Sequence, residues 1–284
     1  MKIYACIAAL ACCAQGLSAQ TVIRGRVCDS SDHSGLSYAR IGIEARNAGT
    51  LSDADGNFAF TIADTVSRDD SLTFSYIGYA PLKRRISDFD LSGQQRISLL
   101  RETYEIPEVV VRPGKTKQVK MGRGRNGSDL LSTSFFSGSR NPVGEECGVL
   151  LNCKHDCTVN RLCFFLKKNG FGYAKFRLNF YSVKDGVPDE ALGDRDIQFD
   201  ISDRYVGWVD LDLSGSAIRL KPGDFAVTMT FLEGKAADSS VRGFEMPITL
   251  LSKNSVVSRD NAMGRWGRDQ MMIALFVEAT AYAD

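Results

Sequence analysis

The stretch Asp53-Ala54-Asp55-Gly56-Asn57-Phe58-Ala59-Phe60-Thr61-Ile62 decides the fold class. Its second half sets Phe58, Phe60 and Ile62 on one face and Ala59 and Thr61 on the other, because side chains alternate along a strand. Its first half is a cluster of turn formers, in which Gly56 supplies a positive φ and Asp or Asn side chains bond nearby backbone. A turn that feeds an alternating run is a β signature. The polar cluster also looks like the start of a calcium loop. Calcium takes six to eight oxygens, however, and Asp64 stands where the bidentate Glu at the loop's end belongs. A hairpin turn is the expectation.

Outward from this stretch the pattern repeats. Val22–Val27, Ala39–Glu44, Leu72–Tyr76, Arg96–Leu100 and Val109–Val111 are short apolar or alternating runs separated by turn residues. No long segment of helical period intervenes. Strands at this spacing predict a β-sandwich.

The order of the pieces carries a resemblance. Gly25-Arg26-Val27-Cys28-Asp29, then Tyr38-Ala39-Arg40-Ile41, then Gly49 to Phe58, then Leu72 to Tyr79 and the closing Glu108-Val109-Val110-Val111 run over about ninety residues. Together, residues ~21–111 resemble the carboxypeptidase-regulatory-like domain. The resemblance implies a transthyretin-like, Ig-like sandwich of about seven strands, a non-catalytic module of Gram-negative envelope proteins. The proline usual before Leu36 is missing, which bears on loop shape and not on fold. A transporter barrel needs ~10 residues per strand plus loops, more than the roughly 170 residues after Val111 supply. A zinc peptidase needs closely spaced His and Glu ligands and a further His. His33 and His155 are the only histidines, and neither stands in such a spacing.

The N-terminus reads as an export signal. Met1-Lys2 is cationic, Ile3–Ala14 is apolar, and Gln15–Ala19 is a polar, small-residue cleavage region. The apolar run is too short to span ~30 Å of hydrocarbon, so the chain is expected not to be membrane-spanning. A secondary reading lipidates Cys12 or Cys13, although Leu10 falls one place off the usual pattern. The predicted locations are therefore the periplasm, the outer membrane as an associated protein, or the medium. Removal of residues 1–19 takes Lys2 and no acid, so the 35 Lys and Arg fall to 34 against 34 Asp and Glu. A neutral chain has no long-range attraction for nucleic acid.

The predicted organisation is a signal peptide over 1–19, a first sandwich over 20–111, a basic flexible linker over 112–129 and a second sandwich over 130–284. The linker reading rests on six Lys and Arg without an acid between Arg112 and Gly127, and on Pro113 and four glycines. In the second unit, Cys147, Cys153, Cys157 and Cys163 are symmetric about His155. If Lys154-His155-Asp156 is a hairpin loop, Cys153 faces Cys157 and Cys147 faces Cys163, each ~4.5–5.5 Å apart and within disulfide range. An oxidising compartment favours such structural disulfides. Unpaired buried cysteines and a metal site are the alternatives. One ion cannot join Cys147 and Cys153, which lie about 20 Å apart in one strand at ~3.4 Å per residue. Cys28 is left without a partner.

Further strands are predicted at Ala174–Tyr181, Ile197–Ile201, Gly207–Leu213, Ala217–Leu220, Phe225–Phe231, Met246–Leu250 and Met271–Tyr282. Residues ~130–284 loosely resemble the β-sandwich module that accompanies regulatory-like domains. The fold class is thus all-β, with a second antiparallel sandwich for which a jelly roll is one form. Trp266, Trp208 and Tyr205, together with Phe171 and Tyr173, could form an aromatic platform for a sugar ring, although aromatics commonly supply core area. The pairs Asp194/Asp196 and Asp210/Asp212 are compatible with glycosidase chemistry or with solvated strand edges. No cofactor motif and no nucleophile–base set are legible. The expected function is a non-enzymatic exported envelope protein that binds or scaffolds, with an envelope protein or a carbohydrate as ligand. An exported hydrolase using carboxylates of the second unit is the alternative.

Overall fold

The computed structural model describes residues 21–63, 65–102, 116–126, 131–137, 142–237, 243–250, 252 and 254–282. The expected signal peptide, both lipidation candidates, Asp64, the Val109–Val111 strand and part of the expected linker lie outside the described residues.

Among the described residues, seven strands make the first unit. One sheet has the order β4 (Asn57–Thr61), β1 (Val22–Asp29), β7 (Gln94–Leu99); the other has β3 (Ala48–Leu51), β2 (Arg40–Ile43), β5 (Ser71–Ser75), β6 (Leu82–Arg85). Strand β1 is antiparallel to β4 and parallel to β7. The alternation read from the sequence is realised: Phe58 and Phe60, Leu72 and Phe74, and Ile97 and Leu99 point inward and meet Ile23 and Val27 in one core. Phe58 packs edge-on to Phe74 at 5.5 Å between ring centroids. The turn before β4 is closed by its own aspartate. Asp53 Oδ1 accepts the Asp55 and Asn57 amides at 2.9 and 2.8 Å, and Gly56 adopts φ +86°. The Asp53 carboxylate is spent within the turn, its other oxygen accepting Asn57 Nδ2 at 3.1 Å, as suits an Asx turn. Where β1 and β7 touch, a Cβ on Gly25 would lie 2.2 Å from the Gln95 carbonyl oxygen, so only glycine lets these backbones approach.

The second unit packs two larger sheets. The first orders β14 (Val187–Ala191), β13 (Phe171–Lys184), β18 (Gly223–Ala236), β10 (Glu146–Cys153), β20 (Ser255–Arg259) and β21 (Gly267–Asp269), with β15 (Ile197–Ser202) also on β13. The second orders β16 (Gly207–Asp212), β11 (Cys157–Leu166), β23 (Leu275–Tyr282) and β8 (Thr116–Gly122), with β17 (Arg219–Leu220) also on β11. A small sheet of β9 (Ser132–Phe135), β12 (Lys168–Asn169), β19 (Phe244–Leu250) and β22 (Met271–Ile273) lies beside them. One core fills the space between, with Phe136, Phe171, Phe176, Phe231 and Phe244 in mutual ring contact.

Two expectations are corrected. Strands β10 and β11 do not form a hairpin. A strand has two edges, and those of β10 are taken by β18 and β20 while those of β11 are taken by β23 and by β16 and β17. Lys154-His155-Asp156 is therefore an arch that carries the chain from one sheet to the other. A bulge between Val159 and Arg161 then shifts the parity of β11. Cys157 and Val159 face the core, as do Leu162 and Phe164, so Cys163 turns outward while Cys147 stays inside. The Cys147–Cys163 disulfide is thus incompatible with the fold, and Cys28, Cys147, Cys153, Cys157 and Cys163 are all buried free thiols. The second correction concerns the linker. Thr116–Gly122, expected to be flexible, pair with β23 over their whole length, from Thr116 opposite Tyr282 to Gly122 opposite Phe276. The alternation of Gln118 and Lys120 outward with Val119 and Met121 inward outweighs the basic, glycine-rich composition; charged residues of this kind suit an edge strand.

Candidate functional site

The outer face of the sheet β16–β11–β23–β8 carries side chains in cross-strand rows. Trp208 stands opposite Phe165, Asp210 opposite Cys163 and Asp212 opposite Arg161. On the other side of β11, Cys163 meets Phe276 and Arg161 meets Glu278. Glu278 meets Lys120, and Thr280 meets Gln118. Residues directly opposite on one face interact, and here they do so in two zones. Trp208 packs edge-on to Phe165 and Phe276 at 5.4 and 5.5 Å, and Lys120 Nζ lies 3.7 Å from the Phe276 centroid. Beyond this aromatic end an open groove of about 540 Å³ is lined by Gln118, Asn160, Arg161, Asp210, Asp212, Ser214 and Glu278.

The groove's polar groups are held in place by one another. Arg161 grips Asp210 with two guanidinium nitrogens and reaches Glu278 at 3.7 Å. Lys120 bonds the other Glu278 oxygen at 3.2 Å. Asn160 Nδ2 donates to Thr280 Oγ1 at 2.7 Å, as does Gln118 Nε2 at 3.0 Å. The Arg161 hydrogen bonds hold the Asp210 carboxyl below the usual carboxylate range, and the Ser214 backbone amide does the same for Asp212. Both are ionised at neutral pH. The Cys163 thiol beside them is pushed up to about 11 by burial and by Asp210, so it is protonated there.

Of the aromatic candidates, the structure brings Tyr205 and Trp208 together: exposed Tyr205 donates its hydroxyl to the Trp208 carbonyl at 2.7 Å. Trp266 lies elsewhere, edge-on to Tyr181 at 6.1 Å and beneath the Arg259 guanidinium at 4.5 Å. Phe171 is core, and Tyr173 donates to Glu233 at 3.2 Å. The carboxylates Asp194 and Asp196 form no cleft, since Asp196 is saturated by Arg177, Tyr76 and Gln198. Among the described residues, the carboxyl raised above its ordinary range is Glu145, by burial and by Asp260.

Trp266 belongs to a second constellation, a polar joint between the two sandwiches that the sequence reading missed. Glu146, 1% exposed, is its hub. One carboxylate oxygen accepts Asn179 Nδ2 at 2.9 Å, the Tyr181 hydroxyl at 3.0 Å and the Thr228 hydroxyl. The other accepts Arg259 Nε at 2.9 Å and, from β2 of the first sandwich, Arg40 Nη2 at 3.2 Å. Burial alone would raise the carboxyl, but Arg259, Arg40 and the hydroxyl of Thr228 overcome it and hold the group at about 2. A parallel clamp lies nearby. Arg177 pairs with both Asp196 oxygens at 2.6 and 2.8 Å and donates to the Tyr38 and Ser37 carbonyls of the first sandwich at 2.8 and 3.2 Å. Tyr76 adds a hydroxyl to Asp196 at 2.8 Å, and Tyr38, Leu51, Leu232 and Ala262 form an apolar patch across the same junction. A cavity of about 30 Å³ beside Arg40 and Tyr181 has room for about one water and for no organic ligand.

The signal for the joint was present but ambiguous. Arg177, Asn179 and Tyr181 share one face of β13, and a polar strand face carries no mark of what covers it; here Arg177 donates to the first sandwich and Arg40 of that sandwich donates to Tyr181.

Comparison with known proteins gives one family and a set of distant structures. The CarboxypepD_reg-like domain family matches residues 23–111. No curated protein matches the chain. Among solved structures, the clostridial cysteine protease Cwp84 after propeptide cleavage is 11% identical with a TM-score of 0.39, covering 83% of this chain and 52% of its own. A structure of the cysteine protease and lectin-like domains of Cwp84, a surface layer associated protein of Clostridium difficile, is 9% identical at the same TM-score, 0.39, covering 93% and 59%. The chain thus spans little more than half of either, and scores of this size do not establish a common fold. The family match and the two-sheet core coincide, so the protein carries a CarboxypepD_reg-like domain over residues 23–111, whose described residues are built as a β-sandwich.

Proposed function

We propose that the protein is a non-enzymatic, exported envelope protein whose second sandwich binds a polyhydroxylated ligand, a carbohydrate, along the outer face of β16–β11–β23–β8. The observation that carries this reading is the groove itself. Carboxylate, carboxamide and guanidinium groups from four strands line one groove and offer both donors and acceptors, which suits hydroxyls that donate and accept in turn. Trp208, in the aromatic zone beside the groove, has an apolar body and a polar N–H that suit the faces of a sugar ring. The regulatory-like domain supports an accessory role, because such sandwiches present sites built elsewhere in the chain. The pinned side chains also lower the ordering cost of binding.

The hydrolase alternative finds less support. Glycoside cleavage needs one carboxylic acid protonated near neutral pH beside an ionised partner. The groove's Asp210 and Asp212 are both shifted the other way.

Binding to an immobilised glycan panel, followed by calorimetry on the best ligand, tests the proposal. Arg161→Ala and Trp208→Ala should each weaken binding at least about tenfold, the loss of roughly one charged hydrogen bond or one stacked ring. The Arg161 pair is exposed and contributes little to folding, so that variant folds. Absence of binding to any glycan, or binding indifferent to Arg161→Ala, would overturn the assignment.

A further inference from the structure

Cys153 ends β10 in one sheet and Cys157 opens β11 in the opposing sheet, with only the arch Lys154-His155-Asp156 between them. Their sulfur atoms stand 3.1 Å apart, and Cys153 Sγ also lies 2.9 Å from the His155 carbonyl oxygen. The other thiols have no such neighbour among the described residues. Cys147 is paired in register with Met229 and Ser258, Cys163 with Asp210 and Phe276, and Cys28 approaches Ile97 and Ser98. The arch residues are all exposed, so the buried pair lies beneath a single solvent-facing turn of chain.

We infer that Cys153 and Cys157 are a redox-sensitive dithiol that closes to one intramolecular disulfide and covalently ties the two sheets of the second sandwich at the arch. A disulfide requires the sulfurs to approach to ~2.05 Å, a closure of about 1 Å that rotation of two side chains at a loop can supply. The oxidant is an external disulfide, small-molecule or protein. One cysteine, as thiolate, attacks a sulfur of that disulfide, forms a mixed disulfide and expels one reduced thiol. The second cysteine loses its proton and attacks the first cysteine's sulfur, expelling the other thiol. Two protein thiols and one external disulfide thus become one protein disulfide and two external thiols, with both electrons and both protons accounted for. Burial raises the Cys157 thiol, with Cys153 adding to it. That makes Cys157 a slow nucleophile at neutral pH, which suits a structural lock better than a catalytic thiol.

The closed pair differs from a hairpin staple in what it constrains. It joins two sheets whose backbones share no hydrogen bond at this point, and the Asp156 carbonyl of the same arch accepts the Tyr282 amide at 2.9 Å, so the end of β23 is tied to the arch as well.

The test titrates the reduced full chain with glutathione disulfide, blocks remaining thiols with an alkylating reagent in denaturant and reads intact mass and peptide maps. One disulfide should form, lowering the mass by about 2 Da, and the map should place it in the peptide that holds both Cys153 and Cys157. Cys28, Cys147 and Cys163 should all be alkylated. Cys153→Ser and Cys157→Ser should each abolish the mass loss, with unchanged circular dichroism showing that the variants fold. Hydrogen exchange at the arch should slow on oxidation of the parent chain and not of either variant. A disulfide that persists in Cys153→Ser, or a parent chain in which both thiols stay alkylated at glutathione potentials that oxidise ordinary exported dithiols, would overturn the inference.

Discussion

Replacing Glu146 with alanine should lower stability by about 3–5 kcal/mol, the usual cost of removing one partner from a buried ion pair. The reason is the set of groups left behind. Arg259 and Arg40 would keep their charges at 9% and 18% side-chain exposure, and Asn179, Tyr181 and Thr228 would lose a shared acceptor. Glu146→Gln should cost less, since the amide oxygen still accepts although the charge is gone. Urea denaturation of the parent and both variants measures the effect, and a double-mutant cycle with Arg40→Ala isolates the part that crosses between the sandwiches. A loss below about 1 kcal/mol for the alanine variant would mean that the hub is solvated and the joint is not closed in solution.

The same residue sets an acid limit. Its folded pKa of about 2 lies below the ordinary 4.5, so the unfolded chain binds the proton more readily. Stability from this group is therefore complete above about pH 5 and lost progressively as pH falls toward 2. Asp196, held down by Arg177 against its burial, acts in the same direction. Denaturation midpoints measured from pH 7 to pH 3 should fall in the parent and fall less steeply in Glu146→Gln.

Arg177→Ala is the second large effect. Arg177 is 2% exposed and gives every arm of its guanidinium to a partner: two bonds to Asp196 and two to backbone carbonyls of the other sandwich. Its loss leaves Asp196 partly buried beside Tyr76 without its hydrogen-bonded countercharge, and leaves the Ser37 and Tyr38 carbonyls short of donors. About 3–5 kcal/mol is again expected, which at ~2–4 °C per kcal/mol is a fall in Tm of roughly 10 °C. Arg177→Lys should recover little, because one ammonium cannot reproduce a bidentate fork and two further bonds. A lysine variant as stable as the parent would show that charge alone matters at this position.

The sequence made the strands legible wherever alternation was clean. Phe58, Phe60, Leu72, Phe74, Ile97 and Leu99 announce their faces, and the core of the first sandwich is built from them. What one strand cannot announce is its partner. The cysteine symmetry about His155 suggested a hairpin, yet pairing depended on distant β18, β20 and β23 competing for the same edges. The bulge at Val159–Arg161 was equally hidden, and a one-residue shift moves every later side chain to the other face. The groove was half legible. Asp210, Asp212 and Trp208 stood out on one strand, whereas Gln118, Asn160, Arg161 and Glu278 come from three others and meet them only through the fold. Glu146 and Arg177 escaped for a related reason. A polar strand face looks the same on paper whether water or a neighbouring sandwich covers it.

Strand β8 has a consequence for how the chain can be divided. A recombinant fragment started at residue 130, where the basic composition gives way, would strip β23 of its partner from Phe276 to Tyr282. The bared row of amides and carbonyls would be a template for self-association. The second sandwich includes Thr116–Gly122, so the short segment that looks like a tether is in substance a piece of that sandwich, and shuffling or tagging of these modules must respect it.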